Sequence, residues 1–186
     1  MILAATGHRP ERANIHGMEK QDLDSYLIEL ATWWLDANVP VKHDAVCWIG
    51  GAEGWDLAVG EACANLGIQI GLAVPHLRWW ENFSKIDKMR ADALWRRQVH
   101  GWPPTNKRLF VAESPTNTRG LNFIRDRYMV DQADKIIALY DEQPTGGTAY
   151  TVGYARKQHK PVVNLWPQWA AKGKWWLPQE GDNDDC

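Results

Sequence analysis

The sequence has few cysteines and no long apolar run. Its 186 residues include three cysteines, at positions 47, 63 and 186, and none of them forms a C-x-x-C pair. Such spacing argues against a disulfide framework and a structural zinc site, so buried or terminal thiols are expected. No stretch approaches the roughly 18 apolar residues of a membrane span, and the start MILAATGHRP lacks a basic segment followed by a long apolar one. A cytoplasmic location is therefore expected.

An excess of basic charge is also missing. Lys and Arg total 21, Asp and Glu total 23, and the formal net charge is -2. The chain therefore lacks the general basic field that draws proteins to nucleic-acid phosphates, and nucleic acid is not an expected partner, although a local basic patch stays open. The histidines other than His8 show no spacing typical of metal ligands, so neither a metal nor a cofactor is expected.

Apolar and aromatic residues are abundant. The hydrophobic share of 45% allows one sizeable core, and the length favours a single domain. Tryptophan is the outlier, with 12 copies. Most of these side chains should fill the core or an interface, although some could stack on a base.

Short apolar runs alternate with segments of helical spacing. Strands are predicted at 1–6, 45–50, 68–75, 107–113, 135–140 and 161–166, and helices at 19–37, within 50–67, and at 80–99, 121–132 and 148–158. This recurrence predicts an α/β domain with a mostly parallel sheet covered on both faces. Residues 167–186 form a tryptophan-rich, acidic tail, and its last residues are expected to be disordered.

Three predicted strands end in turns rich in glycine and small polar residues. TGHRP follows the first strand, GGAEGWD the second, and PTGGT the run KIIALY. Ligands bind beyond the carboxyl ends of parallel strands, where glycine lets backbone N–H groups approach an anion, so the turns together predict one ligand site. Each turn alone is as typical of a simple chain reversal. None has G-x-G-x-x-G spacing or the P-loop lysine, which argues against dinucleotide binding and P-loop NTP hydrolysis.

These motifs carry a family resemblance. The stretch LNFIRDRYMVDQADKIIALYDEQPTGGTAYTVGYARKQHKPV resembles the carboxyl-terminal half of the SLOG superfamily, which includes the Lonely Guy (LOG) phosphoribohydrolases. TGHRP and GGAEGWDLAVGEACANLG are similar to a smaller bacterial and phage branch of the YspA/YpsA type, and the second also resembles DNA-processing protein A. The resemblance covers residues 1–166 and implies a Rossmann-like three-layer sandwich. Because LOG-like proteins are commonly dimers, it also implies a homo-oligomer, a dimer or higher.

The resemblance implies roles for single residues. Arg125 stands where LOG enzymes have an arginine that holds substrate phosphate or ribose, whereas Asp126 and Arg127 are expected to point elsewhere. The LOG turn G-G-x-G-T-x-x-E is shortened to Gly146-Gly147-Thr148, and Thr151 stands where the catalytic glutamate would be. Threonine cannot act as a carboxylate, so the phosphoribohydrolase reaction does not simply carry over.

The predicted ligand-binding residues lie in the three turns and at two further positions. They are Thr6, Gly7, His8, Arg9, Gly50, Gly51, Ala52, Gly54, Asp56, Trp80, Arg125, Thr145, Gly146, Gly147 and Thr148. Trp80, or its neighbour Trp79, is a candidate to cover a base. If the protein is an enzyme, Asp56, Glu53 or Asp141 would supply the carboxylate. Asp56 could also bind ribose hydroxyls, and it equally fits an ordinary helix start. Glu61 is expected to be a structural or solvated group.

Three functions stay open at this stage. The first is binding of a nucleotide, an ADP-ribose-type molecule or a cyclic nucleotide signal by a sensor or sequestering protein. The second is cleavage of an N-glycosidic bond, and the third is single-stranded DNA binding, which the acidic balance disfavours. Thr151 in place of glutamate favours the first.

Overall fold

A six-stranded parallel sheet forms the centre of the molecule. The computed structural model describes residues 1–76, 78–100, 109–110 and 120–171. The strands are β1 (Ile2–Gly7), β2 (Val46–Ile49), β3 (Gln69–Val74), β4 (Leu109–Phe110), β5 (Lys135–Leu139) and β6 (Val162–Asn164). They lie in the order β4-β3-β2-β1-β5-β6, and every neighbouring pair is parallel. The predicted α/β fold is confirmed.

Seven α-helices lie in the described residues. They are α1 (Pro10–Ala13), α2 (Lys20–Asn38), α3 (Trp55–Leu66), α4 (Lys85–His100), α5 (Leu121–Gln132), α6 (Gly146–Lys157) and α7 (Trp166–Ala170). The sequence pattern predicted α2, α3, α5 and α6 closely, but neither of the short helices α1 and α7. Helix α4 starts at Lys85 rather than at Trp80 because Ser84 caps it, with the amide of Asp87 donating to Ser84 Oγ over 3.1 Å.

Two main hydrophobic clusters, a larger and a smaller one, pack around the sheet, and a third contains only Ala138, Tyr140 and Val152. The larger contains Leu27 and Leu30 of α2 and the fully buried Trp55 of α3, and the smaller contains Met129 of α5 and Ala155 of α6. Every tryptophan among the described residues is buried or half-buried, in agreement with the expected core role. Cys47 and Cys63 are buried free thiols.

The segment after residue 166 packs onto the domain. Trp169 of α7 is 3% exposed, and its indole N–H donates to the carbonyl of Ala13 over 2.8 Å. The predicted disorder of the last residues concerns 172–186, which lie outside the described residues. None of the described helices combines the length and apolar character needed to cross a membrane.

The sheet order reverses direction at β1. This strand pairs with β2 on one side and β5 on the other, and the chain extends outward from both. In such sheets the crevice beyond the carboxyl ends of the two diverging strands is the usual ligand site. The first turn, after β1, and the third turn, after β5, face each other across this crevice.

Candidate functional site

A cavity of about 410 Å³ opens at the carboxyl ends of β1, β2 and β5. Its volume lies toward the low end of the roughly 300–1,000 Å³ typical of small-molecule sites. All three predicted turns contribute to its wall. The predicted residues that line it are Thr6, Gly7, His8, Arg9, Gly50, Ala52, Asp56, Arg125, Thr145, Gly146, Gly147 and Thr148.

Five predicted residues do not line the cavity: Gly51, Glu53, Gly54, Trp80 and Asp141. Gly51 instead lies under the ring of Trp79, where an added Cβ would be 2.5 Å from the indole. Glu53 accepts a hydrogen bond from the amide of Ser84 over 3.2 Å, away from the cavity. Gly51 and Glu53 lie outside the cavity wall because the second turn packs against Trp79 and Ser84.

Trp79, rather than Trp80, faces the cavity. The Trp79 side chain lines the wall together with Phe83. Trp80 packs edge-on against Trp79, with ring centroids 5.1 Å apart, and its other ring neighbour is Trp95. An aromatic surface for a base is therefore available from Trp79 and Phe83.

One side of the wall is formed by Asp56, Arg125 and Asp126, which we call the floor. Arg125 Nη1 donates to the carbonyl of Gly50 over 2.7 Å, and Arg125 Nε lies 2.6 Å from Asp126 Oδ1. An added Cβ at Gly50 would lie 1.7 Å from Arg125 Nη1 and 2.8 Å from Asp56 Oδ2, so only glycine leaves room for this arrangement. The charge of Arg125 is thus offset by two neighbouring carboxylates.

Both floor carboxylates are buried, Asp56 to 5% and Asp126 to 4% exposure. Burial raises the pKa of Asp56 to about 6, although Arg125 and the amide of Ala52 oppose the rise. Burial likewise raises the pKa of Asp126, again against Arg125. The prediction that Asp126 points away from the site was wrong, because the residue shares the inward face of α5 with Arg125.

Thr151 lies directly beside the floor. Its hydroxyl donates to the carbonyl of Gly147 over 2.9 Å, and its interaction with Asp126 lowers the pKa of that carboxyl. The position that the resemblance assigns to a glutamate therefore adjoins a carboxylate supplied by another helix.

Arg127 lies on the outer face of α5, as predicted. Its guanidinium is 5.7 Å from the ring centroids of both Tyr150 and Tyr154 on α6. Phe123 stacks on Tyr150 with centroids 4.3 Å apart and is 44% exposed. These four residues form an aromatic patch outside the cavity.

The exposed side of the cavity, which we call the rim, consists of Arg9, Arg12 and residues 145–148. Gly146 opens α6 with a φ of 91°, a backbone conformation that favours glycine. Among the described residues, no side chain donates or accepts a capping hydrogen bond at this end of α6. The first N–H groups of a helix have no partner within the helix and attract anions, so the rim suits a phosphate.

A clamp formed by Arg12 and Asp141 holds the third turn. Arg12 Nε and Nη2 donate to the two carboxylate oxygens of Asp141 over 2.6 and 2.7 Å, and Arg12 Nη1 donates to the carbonyl of Thr145 over 3.1 Å. Burial raises the pKa of Asp141, but the hydrogen bonds from Arg12 and from the amide of Gln143, together with His8, outweigh it, and the pKa of this carboxyl is lowered. Asp141 therefore acts in the clamp and not as a cavity carboxylate.

His8 contacts the clamp at Asp141. His8 Nε2 lies 3.0 Å from the amide nitrogen of Asp141 and 2.9 Å from Oδ1 of the same residue. Burial lowers the pKa of His8, and Asp141 opposes this effect. The predicted site residue His8 is thus both a wall residue and a partner of the third turn.

Six residues of the cavity wall were not predicted from the sequence: Arg12, Pro75, Phe83, Asn122, Asp126 and Met129. Arg12 belongs to a single helical turn, and Pro10 at its start was the one available signal. The others come from the end of β3, the approach to α4 and the inward face of α5. Within the described ranges, no cluster of three or more His, Cys, Asp or Glu side chains could hold a metal ion.

The chain has a Rossmann-like α/β fold, which it shares with solved structures of DNA processing protein A. The protein from Streptococcus pneumoniae matches with a TM-score of 0.54 and 17% identity, over 86% of this chain and 48% of that one. The protein from Helicobacter pylori, described for its single-stranded DNA binding mode, matches with a TM-score of 0.56 and 19% identity, over 87% of this chain and 63% of that one. This chain thus spans about half to two thirds of those proteins.

A third similar structure is that of TM1055. It matches with a TM-score of 0.50 and 14% identity, over 94% of this chain and 77% of that one. No family model matches the sequence, and no curated protein matches it significantly. At these identities the likenesses establish the fold.

Proposed function

We propose that the protein binds a nucleotide-derived small molecule in this cavity, as a sensor or a sequestering protein. The supporting observation is that three glycine-containing turns and the uncapped start of α6 surround one cavity where the sheet order reverses. The phosphate lies against residues 145–148 of the rim, with Arg9 and Arg12 beside it. The base packs against Trp79 and Phe83.

The placement of the phosphate follows from the charges around the cavity. Arg125 was the strongest cationic candidate in the sequence, but it contacts Asp126 and lies beside Asp56. An anion on the floor would face two carboxylates, whereas the rim offers helix N–H groups and Arg9, with Arg12 paired to Asp141 beside them. The volume of about 410 Å³ suits a mononucleotide better than a dinucleotide.

Thermal unfolding with a panel of nucleotides tests this proposal, with the products analysed after incubation. A ligand that raises the melting temperature and is recovered intact supports capture. Gly147→Val should weaken the shift, because the added side chain occupies the phosphate position while no protein atom lies within 4 Å of a Cβ there. Gly153→Val is the matched control, since this glycine of α6 has equal space and lies outside the cavity wall. No shift with any nucleotide would reject the proposal.

Hydrolysis of an N-glycosidic bond is a second candidate, favoured by the position of Asp126. This buried carboxylate lines the cavity beside Thr151, the position matched to the LOG glutamate. A carboxylate in that place can stabilise an oxocarbenium-like sugar or activate water. Release of free base, abolished by Asp126→Asn, would establish turnover and replace simple capture.

Single-stranded DNA is a third candidate, so nucleic acid cannot be set aside as the charge balance suggested. The likeness to the Helicobacter pylori protein raises it, and the aromatic patch of Phe123, Arg127, Tyr150 and Tyr154 supports it, since exposed rings can stack on bases. Retention of labelled single strands that falls with salt and with Tyr150→Ala would support this candidate. Absence of retention at low salt would remove it.

A further inference from the structure

The cavity has two ends of opposite character. The rim presents Arg9, Arg12 and residues 145–147, all exposed or half-exposed, and the buried Thr148. The floor presents two carboxylates and one guanidinium, and both carboxylates are at least nine-tenths buried. An ionised carboxylate accepts hydrogen bonds and donates none, so the floor selects ligand groups that donate.

The floor carboxylates have acceptor capacity left for a ligand. Asp56 accepts from the amide of Ala52, over 3.3 Å at Oδ2, and from the amide of Gly50, and it lies beside Arg125. Asp126 pairs with Arg125 and lies beside Thr151, whose hydroxyl proton is donated to the carbonyl of Gly147. A carboxylate offers about four lone-pair positions, more than these partners use. A hydrogen-bond donor on the ligand could therefore occupy the acceptor positions that remain free on these two carboxylates.

The sugar is the part of a nucleotide that reaches the floor. If the phosphate lies on the rim, as in the proposed function on which this inference rests, the atoms next along the ligand belong to the sugar. Two vicinal hydroxyls supply two donors without a net charge. They match two carboxylates arranged around one guanidinium.

We infer that Asp56 and Asp126 bind the 2′- and 3′-hydroxyls of the ligand, so that the cavity selects ribonucleotides over 2′-deoxyribonucleotides. A deoxy ligand removes one donor and leaves a buried carboxylate without its partner. Hydrogen bonds to charged groups contribute enough for a difference of about 10-fold or more in affinity. Sites that hydrogen-bond a substrate hydroxyl discriminate strongly against analogues that lack it.

Calorimetric titration with matched nucleoside 5′-monophosphates tests the inference. Each of the four bases is used in its ribo and 2′-deoxy form, with inorganic phosphate as a further probe. The wild-type protein should bind a ribonucleotide at least about 10-fold more tightly than its deoxy counterpart. Asp126→Asn and, separately, Asp56→Asn should reduce this ratio, whereas Asp131→Asn on the exposed side of the same helix α5 should keep it.

The outcomes separate this inference from the proposed function. Equal affinity for the ribo and deoxy forms would overturn the inference and leave nucleotide binding in place. A ribo preference that persists in both floor variants would also overturn it, because another group would then read the hydroxyl. If one floor variant fails to fold, the other decides. Absence of binding by every nucleotide would reject the proposed function and the inference together.

Discussion

At the scale of single residues, Gly50 is the position where one methyl group matters most. A Cβ there would lie 1.7 Å from Arg125 Nη1, so Gly50→Ala must displace the guanidinium from the buried floor. We expect the free energy of unfolding to fall by about 1–3 kcal/mol, as for other overpacked sites. Urea denaturation measures it, with Gly147→Ala as the control because nothing lies within 4 Å of its Cβ. Equal stability of the two variants would contradict the crowding.

Asp56 makes stability depend on pH in an unusual direction. Its pKa of about 6 in the folded protein exceeds the ordinary value of 3.8, so the folded state binds the proton more tightly. Stability contributed by this group is therefore present at low pH and is lost as pH rises from about 4 through 6. Asp56→Asn has no charge to bury, and we expect it to be more stable at pH 7.5 by on the order of 2–3 kcal/mol.

Melting temperatures of wild type and Asp56→Asn at pH 4.5 and 7.5 measure this effect. The advantage of the variant should shrink at the lower pH. Asp44→Asn, at an exposed aspartate, should show no comparable difference between the two pH values. A variant that is less stable than wild type at pH 7.5 would show that the hydrogen bonds of Asp56 outweigh the cost of burying its charge.

At the scale of elements, a buried ion network joins α2, α3 and α4. Asp87 is fully buried and accepts from Lys20 Nζ at 2.9 Å, Arg90 Nη1 at 3.1 Å and Ser84 Oγ at 2.7 Å. Glu61, expected to be structural or solvated, joins it through Arg90. Asp87→Ala removes one carboxylate partner of Lys20 and of Arg90, although both keep Asp24. Because buried hydrogen bonds to a charged group are lost, we expect the free energy of unfolding to fall by about 1–3 kcal/mol.

The matched control for this network lies on the same helix. Asp92 pairs with Arg96 on the surface, where ion pairs contribute little, so Asp92→Ala should cost less than about 1 kcal/mol. Chemical denaturation of both variants tests the contrast. Similar losses of unfolding free energy in the two variants would show that the buried network contributes no more to stability than a surface ion pair does.

The clamp of Arg12 and Asp141 links β1 and α1 to the third turn. Asp141→Asn removes the charge that Arg12 grips with two hydrogen bonds, so the turn loses its support. We expect nucleotide affinity to fall about 10-fold, since hydrogen bonds between charged groups are the stronger kind. Isothermal titration measures the change. Glu142→Gln, at the neighbouring exposed position paired with Arg156, should leave affinity unaltered, and equal losses would contradict the role of the clamp.

At the scale of the whole molecule, the two main hydrophobic clusters share one sheet. Trp34, Trp55 and Trp169 are helix residues of the larger cluster, and Trp48 of β2 belongs to the smaller, whereas Cys47 and Ile49 of the same strand belong to the larger. We expect a single cooperative unfolding transition, with the same midpoint by tryptophan fluorescence and far-ultraviolet circular dichroism. Two separate midpoints would contradict a single folding unit. The homo-oligomer implied by the resemblance stays a prediction, and sedimentation would test it.

The sequence by itself determined the elements and the three turns of the site. Apolar periodicity predicted α2 and α5 and the strand before the third turn. A helix with one buried face has apolar residues at helical spacing, whereas a strand buried on both faces is a short continuous apolar run. The predicted parallel sheet also implied that the turns after β1, β2 and β5 lie at one edge, because parallel strands end on the same side of the sheet. Glycine turns and a helix start are local features, so they are visible in the chain.

Only the tertiary structure decided how the charges of the site are distributed. The sequence pointed to Arg125 as the phosphate ligand and to Asp141 as a candidate carboxylate, but packing set Arg125 among carboxylates on the floor and Asp141 against Arg12. Packing also directs Asp126 toward the cavity, and it makes Trp79 rather than Trp80 a residue of the cavity wall. These outcomes depend on which side chains from distant segments meet, and on the burial that results. The pattern of a single chain does not encode them locally.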